Sequence, residues 1–420
     1  MRDILFAFFI ALLVAGCEKQ NPGEPPKEIG GTEPEAGLFG MKDGNGSDAQ
    51  EQVPAERNIP FGEPDPEIEN EEESIVTDAG ALLDAATGLL EQGKYPEAKA
   101  DMILARSILE QLEDENHPKI VQCLKALLDV SCKMKENDEV IEYAGEVAAL
   151  ALADEDRGLA YNRIGLAYFN KGEYDRAIEY DEKSLAIYLE TGGPDDLNVA
   201  LNYNNLGLAY TQKGEYDKAI GFFEKTLALY FKILGPEHPE VAITYINLAT
   251  TYAQKEEYDK AIGCNEKSLA IFLKARGPEH PKVGMNYNNI GLAYVQKGDF
   301  DKAIEYFEKT LNIYFKTLGT DHPEVATTYN QLGLAYFKTE EYDAAIECNE
   351  MALVIRLKVF GEDHPNVGMS YGNLGSLYAK KGMKGKAMDY LLKAKEIHLK
   401  KLGREHPETK NVQRWIDSLK

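Results

Sequence analysis

The chain has 420 residues, 44% hydrophobic and 28% charged, which is long for one core and suits several domains or a repeat array. Its net charge of -25 argues against nucleic-acid binding, which needs Lys and Arg to neutralise phosphates, and against docking on anionic lipid through charge alone. None of the five cysteines (Cys17, Cys123, Cys132, Cys264, Cys348) belongs to a CxxC pair, so neither a zinc site nor any other metal or cofactor is expected.

The N-terminus reads MRDILFAFFIALLVAGC. Its apolar run, Ile4 to Ala15, falls short of the roughly 20 residues a bilayer span needs, but it has the length of a signal-peptide core. The run ends in Val14-Ala15-Gly16-Cys17, which resembles the lipobox of bacterial lipoproteins. That resemblance implies that 1–16 is a signal peptide, that Cys17 is the lipid-attachment residue, and that the protein is held in the bacterial cell envelope through its acyl chains. Glu18, in place of Asp, implies the outer membrane.

Residues 17–77 are expected to be a disordered tether. From 18 to 77 there are 16 acids and 4 bases, a net of -12, with many Pro and Gly and little to bury. Asp43-Gly-Asn-Gly-Ser-Asp48 hints at a calcium loop, but Asp48 and Pro54 stand where an EF-hand needs Gly and Glu.

From 78 the chain repeats itself at a 42-residue period. Tyr161, Tyr203, Tyr245, Tyr287, Tyr329 and Tyr371 are in register, and so are Ala177, Ala219, Ala261, Ala303, Ala345 and Ala387. Eight units are predicted: 78–119, 120–156, 157–198, 199–240, 241–282, 283–324, 325–366 and 367–408. Segment 409–420 carries Val412, Trp415, Ile416 and Leu419 at helical spacing and is predicted to cap the last apolar face.

Each unit predicts two helices. In 199–240, Tyr203, Leu206, Gly207 and Tyr210 share one face, and Lys213-Gly214 stops that helix. Ala219, Ile220, Phe223 and Leu227 form the buried face of the second, and Pro239 opens the next unit. Gly207 costs about 1 kcal/mol in mid-helix relative to Ala. The expected reason for a small residue here is close approach of the second helix at Ala219.

Tyr203, Leu206-Gly207, Tyr210, Ala219 and the following Pro resemble, in order, the pattern of the tetratricopeptide repeat family. The 42-residue frame, with YNNLGLAY helices and LGPEHPEVA joints, is similar to the kinesin light chain subgroup. The resemblance implies an all-α, right-handed superhelical solenoid in which first helices line a concave groove. It further implies that Asn162, Asn204, Asn205, Asn247, Asn288, Asn289, Asn330, Gln331 and Asn373 hold the backbone of an extended peptide, since an amide both donates and accepts. The same amides could instead link neighbouring first helices. A Lys/Arg clamp for a C-terminal carboxylate is not expected, because the matching positions hold Leu166, Leu208, Leu292 and Leu334.

Six of the seven histidines stand in His-Pro joints and are predicted to start helices. The four cysteines beyond Cys17 are expected to be packing thiols. No phosphate loop, HExxH or GxSxG motif occurs, so the expectation is a non-enzymatic protein without a small-molecule substrate. The expected function is a membrane-anchored scaffold binding peptides or proteins through its groove. Two alternatives are an envelope-assembly lipoprotein of the secretin-pilotin or outer-membrane assembly type, and an adaptor for peptidoglycan enzymes.

Overall fold

A helix is the only regular element the backbone adopts here: the described residues hold seventeen helices and no strand. The computed structural model describes residues 66–111, 118–150 and 153–420, with side chains from Ser74 onward. The signal peptide, Cys17, the tether up to 65 and His117 lie outside those residues. The helices are α1 (Pro66–Glu91), α2 (Tyr95–Leu109), α3 (Pro118–Met134), α4 (Asn137–Leu150), α5 (Asp154–Asn170), α6 (Tyr174–Thr191), α7 (Leu197–Lys213), α8 (Tyr216–Ile233) and α9 (Pro239–Gln254). They continue with α10 (Tyr258–Arg276), α11 (Pro281–Lys297), α12 (Phe300–Thr317), α13 (Pro323–Lys338), α14 (Tyr342–Phe360), α15 (Pro365–Lys380), α16 (Lys384–Lys401) and α17 (Pro407–Leu419). Odd-numbered helices are the first of each unit, even-numbered ones the second, and α17 closes the stack.

One boundary differs from expectation. Helix α1 starts at Pro66, inside the segment assigned to the tether. Proline suits a first turn, and the acid-rich sequence that follows is favoured at the positive end of a helix. That stretch has no apolar periodicity, so pattern alone did not reveal it.

The turn inside each unit is built the same way. In unit 4 the Gly214 N–H donates to Thr211 O and the Glu215 N–H to Tyr210 O, at 3.0 and 2.9 Å, with Gly214 at φ +79°. This satisfies the last carbonyls of α7 and needs a left-handed residue. Units 5 and 7 make the same turn with Glu256 (φ +66°) and Glu340 (φ +65°), where a side chain costs about 1 kcal/mol. Glu340→Gly is expected to raise stability by up to about 1 kcal/mol, read as a higher urea midpoint.

The joints between units carry the helix starts. The Nδ1 atoms of His238, His280, His322, His364 and His406 accept from the N–H two residues on, at 3.1–3.2 Å, and a proline follows each. Asp196 does the same for α7 at 2.6 Å.

Glycine decides how closely the two helices of a unit approach. A Cβ placed on Gly207 would lie 2.7 Å from the Phe223 ring, and one on Gly291 2.7 Å from the Phe307 ring. The seat receives the residue one turn beyond Ala219, while the backbone carbonyls of the matching alanines Ala177, Ala345 and Ala387 come within 3.2–3.3 Å of such a Cβ in units 3, 7 and 8, so the expected approach at alanine is joined by Phe223 and its equivalents. Helical side chains lean toward the N-terminus, so Phe223 covers the turn before its own Cα. The seat alternates along the array. Phe223, Phe307 and Leu391 fill it in units 4, 6 and 8; Asp181, Asn265 and Asn349, one 42-residue period away, stand there in units 3, 5 and 7. Cys264 lies beside Tyr245 and Tyr252, where units 4 and 6 place Phe222 and Tyr306 between two tyrosine rings. All four described cysteines are free.

Outside the core, lysines tie each unit to the one before. Lys171, Lys213, Lys255, Lys297 and Lys381 bond Asp138, Asp175, Asp217, Asp259 and Asp343. At the turn this rung is missing between units 6 and 7, where Thr339 stands in place of the lysine and a cleft of about 370 Å³ opens beside Asp301; at the joint, Lys358 of unit 7 still pairs with Asp321 of unit 6. Such exposed pairs contribute roughly 0–1 kcal/mol each.

Candidate functional site

The first helices form one continuous wall. Neighbouring first helices approach each other directly, α5 with α7, α7 with α9, α9 with α11 and α11 with α13, while neighbouring second helices do not approach to the same extent. A stack that is tight on one side and splayed on the other curves toward the tight side, so the first helices lie on its inner face. Along α7 the residues turned away from α8 are Leu197, Leu201, Asn204, Asn205, Leu208 and Gln212, spaced as one helical stripe. The expected amides sit at the middle of this stripe.

Several amides are committed to internal bonds. Asn247 Nδ2 donates to Asn204 Oδ1 at 3.1 Å, joining α9 to α7. The Thr211 and Thr251 hydroxyls pair at 2.8 Å across the same two helices. Asn162, 7% exposed, donates to Asn202 Oδ1 at 3.4 Å, joining α5 to α7. Asn205 donates to the carboxyl of Asp181 on α6. Asn330, in the amide orientation that satisfies both its ends, donates to Asn349 Oδ1 at 3.0 Å and accepts from the Arg356 guanidinium at 2.5 and 2.6 Å.

The pair equivalent to Asn204–Asn247, one 84-residue step along, is Asn288 on α11 and Gln331 on α13. That pair is open. Asn288 Oδ1 has no partner, and neither Nε2 nor Oε1 of Gln331 has one although the residue is 4% exposed. A buried amide without a partner costs on the order of 1–3 kcal/mol, so these side chains gain a partner only by turning outward from their buried positions. Asn289 and Asn373 are half-buried on the same stripe.

Three buried ionisable groups escaped sequence reasoning: Asp181, Arg356 and His398, the last 1% exposed with its pKa lowered by burial. Asp181 is 2% exposed, one carboxyl oxygen lacks a partner, and burial pushes its pKa up to about 8. Arg356 is 6% exposed, donates to Asn366 O at 3.2 Å and Ser370 Oγ at 2.9 Å, and burial brings it down to about 10, so it remains a cation at neutral pH. The available signal was a departure from the repeat: Asp181 replaces a phenylalanine position, and Arg356 stands where Tyr230, Phe272 and Tyr314 stand.

The tetratricopeptide repeat profile matches residues 156–232, 231–274, 240–316, 284–358 and 324–400, a continuous run over more than half of the chain. The chain belongs to the tetratricopeptide repeat family. No match is found among curated proteins. Among solved structures, the repeat protein is similar to a chain from Podosopora anserina described as a kinesin light chain with nearly identical TPR-like repeats (26% identity, 49% of this chain, 97% of that chain, TM-score 0.44). It is also similar to BtubC (BKLC) from P. vanneervenii (25% identity, 56% of this chain, 92% of that chain, TM-score 0.47). The apo form of RapI shares the fold, at 18% identity over 67% of this chain and 98% of that chain, with a TM-score of 0.51. The all-helical array of paired helices is the solenoid of this repeat family, and its exposed product is the first-helix wall rather than an enclosed pocket.

Proposed function

We propose that the chain is a membrane-anchored scaffold that holds extended peptide segments of partner proteins along its first-helix wall. The observation that carries this reading is the open amide pair. Asn288 and Gln331 occupy the positions that are bonded to each other in Asn204 and Asn247, yet the Asn288 Oδ1 and both Gln331 amide atoms are buried beneath the inner face without a partner, and turning outward would offer them to a ligand. A peptide main chain presents an N–H and a C=O at every residue and can satisfy both. The anchor is Cys17, and the acid-rich, Pro/Gly-rich segment behind it lifts the wall from the bilayer.

The test compares two double variants. Asn288→Ala/Gln331→Ala should weaken peptide binding about tenfold or more; it removes no internal hydrogen bond, so its melting loss comes only from the packing that the buried Gln331 side chain gives up. Asn204→Ala/Asn247→Ala should lower the melting temperature more. Equal melting losses in both would make the whole set structural. Cys17→Ser should release the protein from the membrane fraction; retention there would remove the anchor.

A further inference from the structure

One histidine stands outside the His-Pro joints. In units 3 to 6 a single position of the second helix holds Tyr188, Tyr230, Phe272 and Tyr314, each buried; in unit 8 the same position is His398, 1% exposed. A Cβ placed on Gly368 of α15 would lie 2.6 Å from the His398 ring, so the ring is pressed against α15 and cannot swing past it to water. Its Nε2 lies 3.4 Å from Pro365 O. A carbonyl only accepts, so Nε2 carries the proton, and Nδ1 is left without a hydrogen-bond partner. From α17 the ring faces Glu408, and from the joint His406; α15 offers it the Pro365 carbonyl and Gly368. On α16 itself Lys395 is half-buried and Lys401 exposed, each three residues away. A proton on Nδ1 would put a cation into this closed site. Burial, the largest effect, lowers the pKa of His398, against the raising effects of the Pro365 carbonyl and the Glu408 carboxylate.

The element above this ring is the one best placed to yield. Helix α17 closes the stack, packing on α16 and α15 with Val412 and Ile416 over Leu391 and Ala394. A short terminal helix packed on one side opens at lower free energy than the helices inside the array. We infer that His398 is an acid-sensitive latch on the capping helix: while the imidazole is neutral α17 stays closed, and once Nδ1 is protonated α17 lifts away, bringing Leu391, Ala394, Val412 and Ile416 into water. Lifting α17 hydrates the ring, which is what a charged imidazole requires. An uncovered histidine takes its proton near pH 6.5, and the covered one only at lower pH. The open form therefore binds more protons in that window. Closure is fully held above about pH 6.5 and is lost progressively as the pH falls below it. The array thus hides an apolar end face at neutral pH and offers it in acid.

The test is amide hydrogen exchange on the full chain in detergent micelles. Between pH 8 and pH 5.5 the protection of α17, corrected for intrinsic exchange, should fall by up to about tenfold. Helix α7, which starts on Asp196 and not on a histidine, should not follow. His398→Phe and His398→Tyr, the residues that hold this position in units 5 and 6, should keep α17 protected across the whole range. His406→Asn replaces the titratable cap of α17 by one that does not titrate, and should leave the acid loss in place. Trp415 on α17 is the only tryptophan of the chain, and its emission should shift to the red on acidification in the wild type and not in His398→Phe. Protection of α17 that does not change with pH overturns the inference. So does an acid loss that persists in both His398 variants and disappears in His406→Asn, which would place the proton at the joint.

Discussion

Asp181→Asn is expected to stabilise the array, and the gain should grow with pH. In the folded chain burial holds the Asp181 proton up to about pH 8, whereas an unfolded aspartate loses its proton near pH 4. Between those values the folded state binds more protons than the unfolded one, so stability falls as pH rises and levels off above about 8. At pH 7 the accumulated penalty is on the order of 3–4 kcal/mol. Asparagine has nearly the same shape and no charge to desolvate, and its carbonyl can accept the bond that Asn205 now gives the carboxyl. The repeat itself endorses the exchange, since Asn265 and Asn349 occupy the same position in units 5 and 7. Melts followed by circular dichroism from pH 4 to pH 9 should show wild type and variant converging at the acid end and parting toward the alkaline end. Parallel curves, or a variant that melts earlier at pH 8, would show that Asp181 is not a buried proton carrier.

Gly291→Ala should destabilise, although alanine is the better helix former by about 1 kcal/mol. The new methyl would sit 2.7 Å from the Phe307 ring, which is completely buried and has nowhere to retreat. Overpacking of this kind costs about 1–3 kcal/mol or more, so the clash outweighs the propensity gain. The array contains its own solution: unit 5 places Ala249 opposite Asn265. Gly291→Ala combined with Phe307→Asn should therefore lose less than the sum of the two single losses, a coupling that a double-mutant cycle in urea measures. Strict additivity would mean that the two residues do not share a seat. Gly291→Leu, with a larger side chain, should loosen the array further.

The frame of the fold was legible because it is written many times. A 42-residue period that repeats aromatic, Leu-Gly, Tyr and Ala fixes helix pairs far better than any one window could. The joint histidines were legible for a simpler reason: His-Pro places a cap and a first turn side by side, and the caps form at His238, His280, His322, His364 and His406. What the pattern could not supply was the side chain seated on each small residue, because the lean of helical side chains brings Phe223, one turn beyond Ala219, onto Gly207. Nor could it separate bonded amides from open ones. Asn204 and Asn288 are the same letter in the same frame, and the difference arises from the residue opposite, Asn247 in one case and the longer Gln331 in the other. Arg356 and Asp181 stood out only as departures from the period, and their burial is a property of packing in three dimensions.

The absent rung at Thr339 and the open amides at Asn288 and Gln331 fall at one junction, between units 6 and 7. Flexing the array between units 3 and 4 or between units 4 and 5 must break a lysine–aspartate pair and a cross-helix amide bond. Flexing it here breaks no lysine pair at the turn and no amide bond between first helices, although Lys358 of unit 7 still pairs with Asp321 of unit 6. That seam is thus held at its joint end by Lys358 and Asp321 and left loose at its turn end, so it yields by hinging rather than by parting.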